Sequence, residues 1–284
     1  MDADVPLRPP GGAGLWVRPY RAGDHAVVVA LVDGDWLPGQ HPVGLQFPPP
    51  GLERLQEPEI LVACAAGGQV AGVVCIGVRP ADGAGLIVQL HGWGDFEVIA
   101  VLVAAARSRL GGRTLYAFTG PATATGIPGL PIEHRPTTAR VLIAAGFTPA
   151  CAQRYFLRDL TTPPGPPWPL PGYPPAQVTT ITGPPGWLLK LTGPDGHHTA
   201  TAILRAPTQQ TADMAVLWQL TVRHTHRRQG LATHLLTHCL HHAALHGAEH
   251  LTADTPDGDI PATRLLTSTG FLPLDTLTVY HRPP

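Results

Sequence analysis

The stretch Trp218-Gln-Leu-Thr-Val-Arg-His-Thr-His-Arg-Arg-Gln-Gly-Leu-Ala-Thr-His-Leu-Leu236 decides how this chain is read. In Met214–Val222, the residues Val216, Trp218, Leu220 and Val222 share one face at period two, the mark of a strand. From Leu231 the period lengthens. Leu231, Leu235, Leu236, Cys239, Leu240 and Ala243 line one side of a helix ending near Gly247. Between strand and helix lies the basic loop that closes on Arg227-Arg-Gln-Gly230. A diphosphate needs converging backbone N–H groups, no obstructing Cβ and positive charge nearby. A glycine at a helix N-terminus behind two arginines supplies all three.

Working outward, Val178–Ile181 and Trp187–Thr192 are apolar and β-rich, and the turn Gly193-Pro-Asp-Gly196 leads into His198–Arg205 as a hairpin. Downstream of the helix, His250–Asp254 is a strand, and Asp259–Thr269 is a short helix with Gly270 as its C-cap. Phe271–Arg282 supplies one or two last strands. The first half repeats this order more faintly. Leu15–Tyr20, the hairpin Glu59–Ala66 with Gln69–Val78, and Gly85–Leu90 read as strands; Asp24–Asp35 opens a helical region. Phe96–Leu110 is an apolar helix, Arg113–Phe118 a strand, Pro136–Ala145 a helix and Gln153–Leu160 a strand. Thr138-Ala-Arg-Val-Leu-Ile-Ala-Ala-Gly-Phe147 matches Ala262-Thr-Arg-Leu-Leu-Thr-Ser-Thr-Gly-Phe271 in type.

Residues 163–175, PPGPPWPLPGYPP, favour an extended polyproline spacer that can join no helix or central strand. The expected organisation is therefore a domain over 1–162, a linker over 163–175 and a second domain over 176–284. The charge of -1 points to neither nucleic acid nor an anionic membrane as partner. Cys64, Cys75, Cys151 and Cys239 are scattered without a CxxC pair, which suits a reduced, cytoplasmic protein. The N-terminus lacks the apolar core of a signal peptide, and no apolar run approaches the ~18 residues of a membrane span. Gly and Pro contribute 32 and 33 residues, and Lys190 is the one lysine. That skew reflects GC-rich codon usage of the actinobacterial kind and says little about mechanism.

Arg227-Arg-Gln-Gly230-Leu-Ala232 resembles the pyrophosphate-binding signature Arg/Gln-x-x-Gly-x-Gly/Ala of the GNAT acyltransferase superfamily. The helix ending in Gly-Phe before a final strand is similar to that family's late motif. The resemblance implies an α/β (α+β) protein of two tandem GNAT folds, each a mixed, mostly antiparallel sheet flanked by helices. It also implies acetyl-CoA, or another acyl-CoA, as co-substrate. Backbone groups of Leu220, Thr221 and Val222 would pair with the pantetheine arm. Arg227, Arg228, Gln229, Gly230, Leu231, Ala232 and Thr233 would cradle the pyrophosphate, and Asp259 stands where the family commonly has Asn.

The reacting end departs from the family. Its usual proton-donating Tyr falls at Leu266, and at Leu142 in the first half; its strand glutamate is missing, with Gln219 nearest in reach. Asp254 and Tyr280 are the candidate substitutes. In the first half, Gly92-Trp-Gly-Asp95 replaces the signature, and Asp95 with Glu97 repels a diphosphate. That unit is expected to be a degenerate scaffold. It keeps a longer insertion, Arg21–Pro58, with Trp36, His41, Phe47 and Glu53, expected to complete an acceptor pocket.

His234, His238, His241, His242 and His246 fall on the helix after the loop and could chelate a metal. Because they lie opposite its leucine face, a solvated, weakly basic surface is the expectation, with no metal. His224 and His226 are read as solvated loop positions. The reading as a whole is an N-acyltransferase acting on the amine of a small molecule, as monomer or homodimer. A peptide or protein amine, or a catalytically weak acyl-CoA-binding or partner-binding protein, are the alternatives.

Overall fold

The computed structural model describes residues 14–35, 37, 47–49, 51–119, 127–162, 164–165, 167, 170–208 and 213–284. The expectations for Trp36 and His41, and part of the 163–175 linker, lie outside this set. The chain forms two compact units: Met1–Gln153 with Asp275–Pro284, and Arg154–Leu274.

Unit 1 contains β1 (Trp16–Pro19), α1 (His25–Asp33), β2 (Gln56–Cys64), β3 (Val70–Val78), β4 (Gly85–His91), α2 (Phe96–Leu110), β5 (Leu115–Ala117), the short β6 (Leu130–Pro131), α3 (Pro136–Ala144) and the start of β7 (Thr148–Asp159). Unit 2 takes the rest of β7 and then β8 (Gln177–Thr182), β9 (Pro185–Thr192), β10 (His198–Arg205), β11 (Met214–Val222), α4 (Leu231–Leu245), β12 (His250–Pro256) and α5 (Ile260–Ser268). The last strand, β13 (Leu272–Arg282), belongs mostly to unit 1.

Each unit repeats one plan. In unit 1, β1 to β4 are antiparallel neighbours, and β4 pairs in parallel with β5 across the crossover helix α2. In unit 2, β8 to β11 are antiparallel, and β11 pairs in parallel with β12 across α4. Parallel pairing follows from a helix-length connection, which cannot be made as a tight hairpin. The mixed, mostly antiparallel sheets with flanking helices agree with the expected fold class.

The expected domain limits need correction. β13 pairs with β5, placing Tyr280 opposite Ala117, while β7 is the sheet neighbour of β12. Each unit's sheet is thus finished by the strand that follows the other unit's last helix. A proline-rich stretch marks where the chain cannot form regular structure, but it does not mark where packing changes. Phe156 and Leu160, upstream of that stretch, are buried in the core of unit 2 with Leu189, Leu204, Leu235 and Phe271.

The cores follow from sequence periodicity. All six α4 residues assigned to one face, from Leu231 to Ala243, are buried, most of them against β9–β12. Between β8 and β9 only Gly183 and Pro184 intervene. Phe47 of the unit 1 insertion is a core residue beside Tyr20, with ring centroids 5.4 Å apart, and Glu53 accepts the Gly51 N–H at 2.9 Å.

Candidate active site

β11 and β12 are paired only from Met214–His250 to Leu217–Ala253, although both strands continue. The cause is one extra residue. Opposite Ile203 and Leu204 of β10 stand Gln219 and Leu217, so Trp218 is a β-bulge. A bulge bends its strand and increases the local twist. Beyond it, β11 turns away and its edge loses its ladder partner on the β12 side.

A cleft of about 630 Å³ opens there. Leu220, Thr221 and Val222 form its strand wall; Arg227 and Arg228 come from the loop, and Gly230, Leu231, Ala232 and Thr233 from the helix start. The opposite wall is α5, with Asp259 and Arg264. Of the residues expected at the cofactor, Gln229 alone is not in the wall; it faces Tyr173, whose hydroxyl lies 3.5 Å from its Oε1. The sequence reading missed Arg264, and it placed His226 in solvent although it lines the cleft. Arg264 sits inside the helix motif at its third position, so the signal was present but carried no role.

The loop is shaped by its own bonds. Arg223 extends the ladder by donating its N–H to Thr199 at 2.9 Å. Arg227 Nε donates to the Val222 carbonyl at 3.3 Å. Arg228 and Gly230 both adopt left-handed backbone, at φ 64° and 78°. The first α4 bond runs from His234 N–H to the Gly230 carbonyl at 2.9 Å, and no side chain caps this end. Three N–H groups, of Leu231, Ala232 and Thr233, are left unused by the helix. With three arginines around them they make a surface of the kind that suits an anion.

The same place in unit 1 is chemically different. A bulge at Val88 ends the β4–β5 pairing at Ile87–Ala117, as Trp218 does in unit 2. There the helix start is filled from within: Asp95 accepts the N–H groups of Glu97 and Val98 at 2.9 and 3.1 Å. The β4 edge is taken as well, because Arg135 Nη2 donates to the Leu90 carbonyl. Asp35 holds this buried guanidinium at 3.3 Å and accepts a hydrogen bond from His91 Nδ1 at 2.9 Å. Burial lowers the His91 pKa to about 4.

Asp254 is the first β12 residue past the paired region. Ala253 and Leu251 pack in the α4-side core, so Asp254 faces the other side of the sheet. Burial raises its carboxyl above the ordinary carboxylate range. Tyr155, fully buried, is the neighbour that sequence missed. Burial raises its phenol, a hydrogen bond with Thr252 opposes this, and the Asp254 charge adds to the rise. Tyr280 requires a correction: it is 2% exposed in the core of unit 1, because β13 pairs with β5. It does not line the cleft. Leu266 is 3% exposed in the unit 2 core, so the position of the family's tyrosine offers no proton donor.

The α4 histidines also differ from expectation. His234 and His238 stack edge-on at 4.7 Å, while His242 and His246 each lie 4.8 Å from the Trp187 ring. Half-buried rather than solvated, His238 and His242 have pKa values lowered to about 4, first by desolvation and then by neighbouring histidines. Among the described residues no group of three His, Cys, Asp or Glu side chains could hold a metal ion. No helix among them is long and apolar enough to cross a membrane.

Comparison with known proteins places this geometry. Residues 154–271 match the model of the acetyltransferase (GNAT) family, which coincides with unit 2 to within three residues. No curated protein matches the chain significantly. Among solved structures, a GCN5-related N-acetyltransferase from Sphaerobacter thermophilus is 14% identical, with a TM-score of 0.61, covering 94% of this chain and 95% of that one. A tandem GNAT protein from the clavulanic acid biosynthesis pathway is 17% identical, with a TM-score of 0.54, covering 94% and 98%. A GCN5-related N-acetyltransferase from Kribbella flavida is 18% identical, with a TM-score of 0.53, covering 82% and 92%. At these identities the likeness is one of fold.

Proposed function

We propose, from the match of residues 154–271 to the acetyltransferase (GNAT) family model, that the protein transfers an acyl group from acyl-CoA, acetyl-CoA first, to the amine of a small molecule. One observation carries the reading: the uncapped start of α4, ringed by Arg227, Arg228 and Arg264, opens onto the unpaired edge of β11 in a single cleft. These residues fit a nucleotide diphosphate followed by an extended amide-bearing arm.

Acyl-CoA supplies the acyl group as a thioester. The Leu231–Thr233 N–H groups and the arginines hold the diphosphate, and the backbone of Leu220–Val222 pairs with the arm as an added strand would. A backbone N–H of β11 beside the Trp218 bulge polarises the thioester carbonyl. Asp254, half-buried at the split, accepts a proton from the attacking amine; its raised pKa makes it a better base than an exposed aspartate. Unit 1 acts as a scaffold, since Asp95 and Arg135 occupy the positions a second acyl-CoA would need. The four cysteines are free and three are buried, which fits a reducing, cytoplasmic setting.

The test is calorimetry with acetyl-CoA, followed by thiol release with a panel of amines. Binding of one acetyl-CoA per chain with amine-dependent release supports the reading, and no binding overturns it. The leucine at 266 favours a second reading, a weakly catalytic acyl-CoA-binding protein. Tight binding without turnover would select it.

A further inference from the structure

The face of the unit 2 sheet opposite α4 carries a second set of chemical groups. Leu204 packs on the α4 side, so its neighbour Arg205 lies on the other face with Asp254, and the contact with Arg205 puts the bulge residue Trp218 there too. The Arg205 guanidinium carbon sits 3.4 Å from the Trp218 ring centroid. Trp218 is the bulge residue, 44% exposed, and it is the position next to Leu217 just as Asp254 is next to Ala253. A cation stacked on an indole and a carboxylate therefore flank the point where the strands part.

Arg205 has an unmet need. Its Nε is buried without a hydrogen-bond partner, and among the described residues it forms no ion pair. Desolvation lowers its pKa with no carboxylate offsetting the effect. Stacking fixes the guanidinium plane without using its in-plane donors, which leaves a fork suited to a planar carboxylate. The strands bearing Arg205 and Asp254 are two sheet spacings apart, about 10 Å, and the arginine stem reaches part of that way over Trp218. The remaining gap suits an amine and an anion carried on neighbouring atoms.

We propose that Arg205, held on Trp218, binds the carboxylate of the acceptor while Asp254 faces its amine, so that the acceptors are α-amino acids or closely related amino carboxylates. This rests on the acyl-transfer reading above and names the substrate class of that site. The carboxylate of the zwitterion meets the Nη edge of Arg205, and Asp254 takes the proton released from the ammonium group; the freed amine then forms the amide C–N bond as the thioester C–S bond breaks and CoA leaves as the thiolate. Trp218 and Arg205 are specificity determinants, since neither donates nor accepts the transferred proton.

The experiment measures binding to the full-length, CoA-saturated protein by calorimetry, using pairs of L-amino acids and the amines left when their carboxylate is removed. Thiol release from acetyl-CoA is followed with the same pairs. The expectation is at least about tenfold preference for the amino acid in one or more pairs, from one charge-assisted bidentate contact. Arg205→Gln should abolish that preference without changing acetyl-CoA affinity, and Arg205→Lys should restore only part of it because a point charge lacks the planar fork. Trp218→Phe, which keeps a stacking face, should retain most of it. Failure to bind acetyl-CoA would overturn the acyl-transfer reading itself. Acetyl-CoA binding with preference for the amines, no amino acid bound, or a preference unchanged in Arg205→Gln would overturn this proposal alone.

Discussion

Arg227 Nε donates to the Val222 carbonyl at 3.3 Å, so one guanidinium fastens the basic loop to the end of β11. The side chain therefore has two roles, as loop tether and as positive charge in the cleft wall. Arg227→Ala removes both. A hydrogen bond to a charged group contributes about 1.5–3 kcal/mol, so the acetyl-CoA dissociation constant should rise about 10- to 100-fold. Calorimetry checks this, and an affinity within a factor of two of wild type would deny the loop its role.

Gly230 isolates the helix start from the charge. Its φ of 78° is left-handed, and no atom lies within 4 Å of where a Cβ would stand. Gly230→Ala therefore meets strain without a clash, at about 1–2 kcal/mol. Gly230→Glu adds a carboxylate beside the anion site. Acetyl-CoA affinity should fall much further in the glutamate variant than in the alanine one, and equal losses would show that backbone strain alone mattered.

The α4 histidines give a pH dependence with a definite sign. In the unfolded chain a histidine takes up its proton near pH 6.5, whereas folded His238 and His242 do so near 4. The unfolded state thus binds more protons between these values, and stability falls as pH is lowered from about 6.5 towards 4. The neutral rings contribute their full stability above about pH 6.5. Melting temperature followed across this range should drop towards acid, and His238→Gln with His242→Gln should make the drop shallower, the remainder coming from groups such as buried His91.

Asp254 predicts a kinetic signature. Asp254→Asn should lower kcat by about 10²–10⁴, the usual contribution of a general base, and leave acetyl-CoA affinity unaltered because the residue is outside the cleft wall. Since burial raises its pKa, the acid limb of the wild-type rate profile should lie above the range of an exposed aspartate. The variant should lose that limb.

In unit 1 the Asp35–Arg135 pair is a structural prediction. Arg135 is buried, and Asp35 is its carboxylate partner at 3.3 Å. Asp35→Ala leaves the cation uncompensated, which costs about 3–5 kcal/mol in buried pairs. Urea denaturation should show that loss, with Arg135→Met in the same background recovering part of it.

The sequence by itself located most of the wall of the unit 2 cleft. Loop charge, Gly230 and the α4 stripe are local features, set by neighbours within about one turn, so they are legible without a fold; the single face read for Val216, Trp218, Leu220 and Val222 was not, because the Trp218 bulge turns Leu220 and Val222 to the α4 side. Leu220–Val222, Arg227, Arg228 and Gly230–Thr233 could be placed in the wall for that reason, and Asp95 at the start of α2. Only tertiary structure decided the rest. Tyr280 moved into the unit 1 core, and Phe156 and Leu160 into that of unit 2, because strand partners are chosen by long-range pairing that a chain pattern does not record. The five histidines looked solvated from their helix face, yet Trp187, 47 or more residues away in the chain, covers part of them. Arg205 and Trp218 meet through a one-residue bulge between strands joined by a loop. No spacing in the sequence announces such a register shift, because it is set by which β10 residues stand opposite β11, and it is this shift that parts β11 from β12.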